Sequence, residues 1–511
     1  MNATVSALSF TSGDQTFRTD RFSYLLCGTA ADAPFRCEGS WWELSEDRAA
    51  VELPELSLRV TRTMRACDGG AEESIEFYNY GEKKLRFSTI KLGWLLPLQE
   101  LTLHAIPFTV QQDGWRHVYS AETLRCGEHF QIVNNRLPEQ PGRYFGNSVY
   151  SDPSRPEPPL CEEGLLRSEA WFWGTERGGL LAAKYNNRDI EYAVAEPVGP
   201  AREELQLGGA GFCLYHEPSA AQELDAGQRF RFGSTFYYQA DDLTRACGLY
   251  RALLDRKGHA LPPDYAPKVH WNELYDIGWY HSDRAALNRS YTLPALLREA
   301  QKAHECGCGA LYLDPGWEFA EGTTFFDYHR LGDETELVKT LREQYGLSLA
   351  IRIILRTYVN YWPDALNAVH TPDGFASACM LPRTIIPSNQ LLYEQCLCNE
   401  PFRKEKERRA DKLAQDGAYF IMLDEMDWRG PCYHPGHGHA RPSTAYEHAD
   451  AVCRLAKHIK NTNHIQVEVH DPVWPWNSAI YTPSYWRQGF SQEGSYQENW
   501  GFEFMWDCIE D

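Results

Sequence analysis

After Lys268 the sequence alternates between short apolar segments and amphipathic segments with helical spacing, repeating about every 40 residues. VHWNELY precedes LPALLREAQKAHECG, ALYLD precedes ELVKTLREQYG, LAIRIIL precedes PFRKEKERRADKLAQDG, and YFIMLD precedes AYEHADAVCRLAKHIKN. A repeated strand and helix is typical of a parallel α/β fold, whose chemistry lies at the strand ends. Since no GxGxxG or Walker pattern follows any of these strands, a (β/α) barrel is favoured over a nucleotide-binding doubly wound sheet.

The barrel pattern stops before eight strands are complete. IQVEVH supplies a fifth strand and the stretch around SYWRQGF a sixth, after which the sequence ends at FMWDCIED. We therefore expect an incomplete (β/α)8 TIM barrel without its last strands, in a truncated chain. Such a chain is expected to be poorly stable and weakly active when made alone, because open sheet edges leave backbone groups unpaired. A smaller closed barrel is the alternative.

The first half of the sequence consists of short strand-like segments rich in aromatic and β-branched residues. Among them are SIEFYNYG, KLRFSTIKLGWLL, EAWFWGTE and RFRFGSTFYYQA, separated by turn signals such as CDGG, QDG and ERGG. Many short strands at this spacing predict a β-sandwich. We expect a β-sandwich domain over residues 1–240, a helical linker over 241–267 and the (β/α) barrel over 268–511.

Composition narrows the classes of partner. The formal net charge of -21 at pH 7 disfavours nucleic acid and anionic membranes, which attract clustered Lys and Arg. The N-terminus lacks the basic and apolar regions of a signal peptide, and no apolar run reaches the length of a membrane span. The 15 cysteines are odd in number and scattered, which predicts free thiols in the cytoplasm. A neutral glycoside or oligosaccharide suits this composition, no cofactor is predicted, and a homo-oligomer stays open.

Charged side chains recur where the predicted barrel strands end. In chain order they are Asp314, Arg352, Arg356, Asp424, Glu468, His470, Glu493 and Glu498, with Trp317 and Trp428 among the neighbouring aromatics. An Asp after a strand is also a common N-cap of the next helix, and for any one Asp that is the better interpretation. Repeated carboxylates beside aromatics favour a site for glycosidic bond cleavage, in which one carboxylate attacks and another protonates the leaving oxygen.

Asp424 is the strongest catalytic candidate. It ends the apolar strand YFIMLD, which would hold a nucleophile rigidly. Glu425 and Asp427 follow closely, and like charges at this spacing would raise the pKa of at least one carboxyl.

Three histidines follow Asp424 in the segment CYHPGHGHARP. His434, His437 and His439 could bind a metal together with Asp424 or Glu425, but HxxHxH on a Gly/Pro-rich loop is a weak ligand pattern. The pairs Cys306/Cys308 and Cys396/Cys398 lack the CxxC spacing of zinc knuckles. We therefore predict no metal, and a loop whose histidines hydrogen-bond sugar hydroxyls.

Several motifs, in this order, resemble those of the α-galactosidase (melibiase) clan of glycoside hydrolases, particularly the family 36 type. LYLDPGWE is similar to the family's LDDGW, FIMLDEMDW to its IKWDMNR, and IQVEVHDP to its LIESCSSGG. The domain order resembles the family's as well. The resemblance implies a retaining α-glycosidase in which Asp424 is the nucleophile and Glu468 matches a family Glu.

The resemblance assigns the acid/base residue only by position. SQEGSYQENW occupies the place of the family's SDNTD, so Glu493 takes the role, with Glu498 and Asp471 as rivals. The residues expected to bind substrate are Asp314, Trp317, Arg352, Arg356, Asp427, Trp428, Glu468, His470 and Glu498.

The sequence departs from the family at three positions where the family binds sugar hydroxyls. Pro315 replaces the second Asp of LDDGW, Met422 replaces the Lys of IKWD, and His470 replaces the Cys of ESC. The sugar and linkage therefore stay open. Two alternatives follow: a non-catalytic carbohydrate-binding protein on a decayed barrel, and a metal-dependent hydrolase in which the three histidines converge with Asp424.

Overall fold

A computed structural model divides the chain into two compact units. Of the residues that the structure describes, those up to Lys257 belong to the first unit and those from Gly258 to the second. The structure describes residues 1–98, 101–106, 118–120, 166–168, 170–186, 191–211, 222–260, 263–277, 284–358, 363–380, 391–424, 426, 431–439, 442–443 and 445–469. None of the helices in these ranges is both long and apolar enough to cross a membrane.

The first unit is built from antiparallel strands. They are β1 (Asn2–Ala3), β2 (Leu8–Ser12), β3 (Gln15–Thr19), β4 (Phe22–Ala30), β5 (Ala33–Ser40), β6 (Trp42–Ser45), β7 (Arg48–Leu53), β8 (Leu58–Cys67), β9 (Gly70–Asn79), β10 (Leu85–Pro97), β11 (Thr102–Ile106), β12 (Val118–Ser120), β13 (Leu166–Ser168), β14 (Ala170–Thr175), β15 (Gly178–Tyr185), β16 (Glu191–Val198), β17 (Glu204–Gly211), β18 (Gln222–Leu224) and β19 (Arg229–Ala240). A 3₁₀ turn covers Pro54–Leu56.

Strands β1, β2 and β3 form a small sheet, and the other strands form two large sheets that share one buried core. One sheet has the order β13-β16-β17-β10-β4-β5, with β18 also paired to β10, and the other has the order β12-β11-β14-β15-β19-β9-β8-β7-β6. Trp94 and Leu207 of the first sheet belong to the same buried cluster as Phe77, Trp171 and Tyr237 of the second. Two sheets packed over one apolar layer are a β-sandwich, as the sequence predicts.

Helix α1 (Leu243–Leu254) covers the outer face of the second sheet. Its N-cap is Asp242, whose carboxylate accepts a hydrogen bond from the backbone N–H of Arg245 at 2.7 Å. Ala246, Tyr250 and Leu253 recur at helical spacing and pack in one cluster with Phe172 and Leu181 of the sheet. This cover explains why β14 and β15 are apolar on both faces and do not alternate with polar residues. A short π-helical turn, Asp255–His259, follows α1.

The second unit contains both strands and helices. Its strands are β20 (His270–Asn272), β21 (Ala310–Leu313), β22 (Ser348–Ile354), β23 (Arg356–Tyr358), β24 (Ala378–Met380), β25 (Leu391–Glu394), β26 (Ala418–Asp424) and β27 (Gln466–Val469). Its helices are α2 (Leu274–Ile277), α3 (Arg284–Ser290), α4 (Leu293–Glu305), α5 (Tyr328–Leu331), α6 (Glu334–Tyr345), α7 (Glu400–Asp416) and α8 (Ala445–Asn463), and a 3₁₀ turn covers Asp364–Asn367.

Five of these strands form a parallel sheet in chain order, β20-β21-β22-β26-β27. A doubly wound sheet reverses its strand order at a switch point, and no such reversal occurs among the strands that the structure describes. The order is therefore that of a singly wound α/β fold, in which each helix precedes the neighbouring strand. Closure of the sheet into an eight-stranded barrel stays a prediction.

Alternating residues of the parallel strands point to opposite faces. Leu311, Ile351 and Leu423 pack in one buried cluster with helices α4, α6, α7 and α8. Tyr312, Ala350 and Phe420 form a separate buried cluster with Met422. We call the side of the sheet that carries this second cluster the inner face. Towards the carboxyl ends of the strands, the apolar residues of the inner face are followed by charged ones.

Candidate active site on the inner face

Arg352 lies at the centre of a group of carboxylates on the inner face. Its Nε donates a hydrogen bond to Oδ2 of Asp424 and lies 3.3 Å from Oδ1 of Asp314. Its Nη1 donates to Oε1 of Glu321 at 3.0 Å. The side chains of Arg352 and Asp424 are only 9% and 11% exposed, so water screens these charges weakly. One guanidinium therefore holds three carboxylates from different segments close together.

Asp424 owes its position to the strand that carries it. Strand β26 lies between β22 and β27, and Ile354 is the register partner of Asp424 across the β22–β26 pair. A central strand bonded on both sides fixes the backbone, so the carboxylate is presented with little freedom. Asp424 is buried, and its hydrogen bond with Arg352 favours the ionised carboxylate.

Asp314 is oriented by the first strand of the sheet. Nδ2 of Asn272 donates to its Oδ2 at 2.7 Å, and its backbone N–H donates to Oε1 of Glu273 at 2.9 Å. Tyr291 donates its hydroxyl to the same Glu273 oxygen at 2.6 Å. Burial, and next the charge of Asp314, raise the pKa of Glu273 well above its usual range. Glu273 thus acts as a buried anchor that ties the ends of β20 and β21 together.

Glu321 reaches Arg352 from the loop after β21, which is held by buried polar groups. Glu318 accepts hydrogen bonds from the backbone N–H groups of Gly322, at 2.8 Å, and Thr324. Lys406 of α7 donates to the carbonyl of Gly322, to Oγ1 of Thr324 at 2.9 Å, and to a strand carbonyl of β22. Burial, followed by the charge of Glu321, raises the pKa of Glu318 to about 8. These contacts restrain the loop that presents Glu321.

Glu468 lies one layer below Asp424 on the inner face. Its register partner is Met422, two residues before Asp424, and its Oε2 accepts a hydrogen bond from the hydroxyl of Tyr265 at 2.8 Å. The hydroxyl of Tyr312 lies between the strands, 3.0 Å from the sulfur of Met422. Burial raises the pKa of Tyr312 well above its usual range, and the charges of Asp314 and Asp424 add to this. Tyr312 and Met422 therefore place neutral groups beside Glu468 in this layer.

Two other residues predicted to bind substrate lie elsewhere. Trp317 is 1% exposed, belongs to the apolar cluster beneath the helices, and donates its indole N–H to the carbonyl of Arg352 at 2.9 Å. Its contacts are those of a core residue, and they give no support to a substrate-binding role. Arg356 begins β23, which pairs antiparallel with β25 outside the parallel sheet. The loop after β22 turns into this small sheet, so Arg356 is not at the end of a parallel strand.

The remaining predicted site residues lie outside the described residues. They are Asp427, Trp428, His470, Glu493 and Glu498, together with the neighbouring carboxylates Glu425 and Asp471.

The histidine segment meets two cysteines. In the described part of the chain, the group of potential metal ligands that includes His437 and His439 is completed by Cys396 and Cys432 and does not include Asp424. His434 stacks on His437 with 3.9 Å between ring centroids. The convergence with Asp424 that a metal-dependent hydrolase requires is not found among these residues.

Known proteins resemble this chain in structure but not in sequence. No protein-family model and no curated protein matches it. The GH36 α-galactosidases AgaB and AgaA from Geobacillus stearothermophilus both align with a TM-score of 0.52, at 12% and 14% identity, over 84% of this chain and 56% of theirs. The chain shares the GH36 α-galactosidase fold. The resemblance predicted from the strand-end motifs is thus confirmed at the level of the fold, and the chain spans just over half the length of these enzymes.

A similar fold occurs in an α-N-acetylgalactosaminidase. The α-N-acetylgalactosaminidase NagBb from Bifidobacterium bifidum, in complex with GalNAc, aligns with a TM-score of 0.52 and 14% identity over 92% of this chain and 74% of its own. A variant of AgaA was solved in complex with stachyose.

Several residues of this candidate site were missed by sequence reasoning. Asn272, Glu273 and Tyr312 come from the first two strands, and Glu321 comes from a loop. The run HWNE does carry a signal, since it places polar residues at a strand end in the same way as LYLD. Glu321 has no such signal, because it follows its strand by eight residues in a loop without periodicity.

Proposed function

We propose that this chain hydrolyses an α-linked glycoside of the α-galactoside type and retains the configuration of the sugar. The observation that carries the proposal is the convergence of Asp424 and Asp314 on Arg352. Arg352 is on β22, which lies between β21 and β26, and the two carboxylates lie at the carboxyl ends of those flanking strands, in a fold shared with α-galactosidases. A retaining enzyme needs an ionised carboxylate that attacks the anomeric carbon and a second carboxyl group that protonates the leaving oxygen.

Asp424 is the proposed nucleophile. Its hydrogen bond with Arg352 stabilises the negative charge, and only the ionised form of a carboxylate can attack. Its place on a central strand limits the motion of the carboxylate, which favours a near-attack geometry.

Asp314, Arg352 and Glu468 are proposed to bind sugar hydroxyls. Carboxylates accept and guanidinium groups donate hydrogen bonds, so together they can pair with hydroxyls in both senses. Stachyose and raffinose, which occur in the AgaA complexes, are the model for the substrate class. Met422 lies where the resembling family has a Lys and would give this part of the pocket an apolar floor.

The acid/base residue is proposed to be Glu493, on the segment that follows the next strand. This assignment supposes that the parallel sheet continues into a barrel, which would bring the two carboxyl groups about 5–5.5 Å apart, as retaining enzymes require. The cytoplasm is the proposed compartment, and ten cysteines in the described part of the chain, none of them in a disulfide, suit it.

A panel of nitrophenyl α-glycosides tests the proposed function, with the matching β-glycosides as stereochemical controls. We expect release of nitrophenol from an α-glycoside only, and NMR should detect the α anomer of the sugar first. Binding of the free sugar without release from any α-glycoside would instead indicate a carbohydrate-binding protein. Early appearance of the β anomer would overturn the retaining mechanism.

Replacing Glu493 by Gln should slow glycosides with poor leaving groups far more than nitrophenyl glycosides. Activated leaving groups depart without a proton, whereas hydrolysis of the covalent intermediate still needs a general base. Added azide should therefore raise kcat of the variant with a nitrophenyl substrate, because azide attacks without base assistance.

Two matched variants provide the control for Glu493. Glu498→Gln and Asp471→Asn make the same type of change at the rival positions, and we expect no azide effect on either. Rescue confined to one of them would move the acid/base role to that residue and leave Asp424 as the nucleophile.

A further inference from the structure

Four potential metal ligands converge in the second unit, in a group distinct from the carboxylates around Arg352. One ligand atom from each of Cys396, Cys432, His437 and His439 lies within 4.8 Å of the other three. Cys396, Cys432 and His437 are each at least 96% buried. Four such atoms in a small buried volume match the donor set and the number of ligands of a structural Cys₂His₂ zinc site.

One separation within this group suits a tetrahedral zinc ion. Bond lengths of about 2.3 Å to sulfur and about 2.0–2.1 Å to nitrogen place S and N ligands roughly 3.5 Å apart across a tetrahedron. Sγ of Cys432 and Nδ1 of His437 are 3.5 Å apart. The pair therefore has the separation that a shared zinc ion imposes.

The second ring nitrogen of His437, Nε2, lies near a hydrogen-bond acceptor, as is common for metal-bound histidines. Its Nε2 lies 3.4 Å from the carbonyl oxygen of Leu366, an acceptor only, so Nε2 carries the proton. The lone pair of Nδ1 then faces Cys432. A backbone carbonyl that orients the ring and sets the tautomer is a common second-layer contact of zinc ligands.

The sulfur of Cys432 is surrounded by backbone donors. The N–H groups of His370 and His434 donate to it at 3.4 and 3.5 Å. These N–H groups can stay on the sulfur when it binds an ion, as hydrogen bonds outside the metal shell.

We propose that Cys396, Cys432, His437 and His439 bind one zinc ion in a closed, structural site. Four protein ligands complete a tetrahedral shell, so the ion would have no position for water or substrate. The sequence prediction had no metal here, because the ligands come from two segments whose spacing matches no zinc motif.

The proposed zinc would fasten the loop that follows the catalytic strand. Cys432 and the two histidines lie on the segment after Asp424, whereas Cys396 precedes α7. Backbone hydrogen bonds already connect each of these segments to a third one, from Tyr433 N to His370 O at 2.9 Å and from Cys396 N to Asn367 O at 2.8 Å. A zinc ion would add direct cross-links between the segment of Cys396 and that of Cys432.

The test is the metal content of the full 511-residue chain, purified without added metal and then exchanged into buffer with zinc. We expect about one zinc ion per chain, and Cys432→Ser and His437→Gln should each lose more than about nine-tenths of it. Cys398→Ser and His434→Gln make the same changes at neighbouring residues outside the set and should keep the zinc.

Cobalt substitution of the unmutated chain gives a readout that does not depend on how well a variant folds. Co²⁺ should produce the visible bands of a tetrahedral ion and the charge-transfer absorption of two thiolates, and zinc should displace them. A chain that takes up neither ion overturns the proposal, as does a stable Cys396–Cys432 disulfide in the freshly isolated protein. Full zinc content in both Cys432→Ser and His437→Gln would overturn it equally.

Discussion

Asp424→Asn should lower kcat on any α-glycoside substrate by at least about 1,000-fold, because an amide cannot form the glycosyl ester. The isosteric side chain keeps its shape and can still accept a hydrogen bond from Arg352, which also retains Asp314 and Glu321. We therefore expect a loss of only about 1–2 kcal/mol in the free energy of unfolding. Steady-state kinetics and denaturant unfolding measure the two effects on the same preparation.

Asp373→Asn is the matched control for this substitution. Asp373 is exposed on a turn, so the same chemical change there should leave both kcat and stability within error. If Asp424→Asn kept the activity of the unmutated chain, the retaining mechanism based on this strand would have to be abandoned. A loss of sugar binding equal to the loss of kcat would instead assign Asp424 a binding role.

Arg352→Met should reduce the free energy of unfolding by about 3–5 kcal/mol and abolish activity. Methionine preserves much of the side-chain volume but leaves three carboxylates, the buried Glu321 and Asp424 and the partly buried Asp314, without the cation that they share. Their mutual repulsion and the cost of burying each charge then oppose folding. Urea unfolding monitored by tryptophan fluorescence measures the change.

A double variant separates the electrostatic explanation from a packing defect. Adding Asp424→Asn to Arg352→Met removes one of the uncompensated charges, so the double variant should be more stable than Arg352→Met alone. Arg342→Met, on the exposed side of α6, is the control and should change stability by less than about 0.5 kcal/mol. Equal stability of the single and double variants would mean that repulsion around Arg352 is not the cause.

Local pattern was enough to predict the β-sandwich and the parallel sheet that follows it, whereas closure of that sheet into a barrel stays a prediction. Alternation between strands and helices after Lys268 indicated a parallel sheet in chain order, and short aromatic strands before it indicated a β-sandwich. Both signals are periodicities within one segment, and a segment with one apolar face must bury that face wherever it lies. The carboxylates Asp314 and Asp424 were found in the same way, because the end of a strand is readable from its apolar run.

Contacts between distant segments were not readable in this way. The spacing of Trp317 suggests a site residue, yet the loop turns its indole into the core beneath Arg352. Glu321 joins the site only because Glu318 and Lys406 shape its loop, and no periodicity records a loop conformation. Cys396 and Cys432 lie 36 positions apart and meet because the loop before α7 and the loop after β26 lie at the same edge of the sheet. Such residues are brought together by the order of the strands and the packing of the helices on them. Local sequence pattern therefore determined which face of each strand or helix is apolar, whereas the tertiary structure decided which side chains meet.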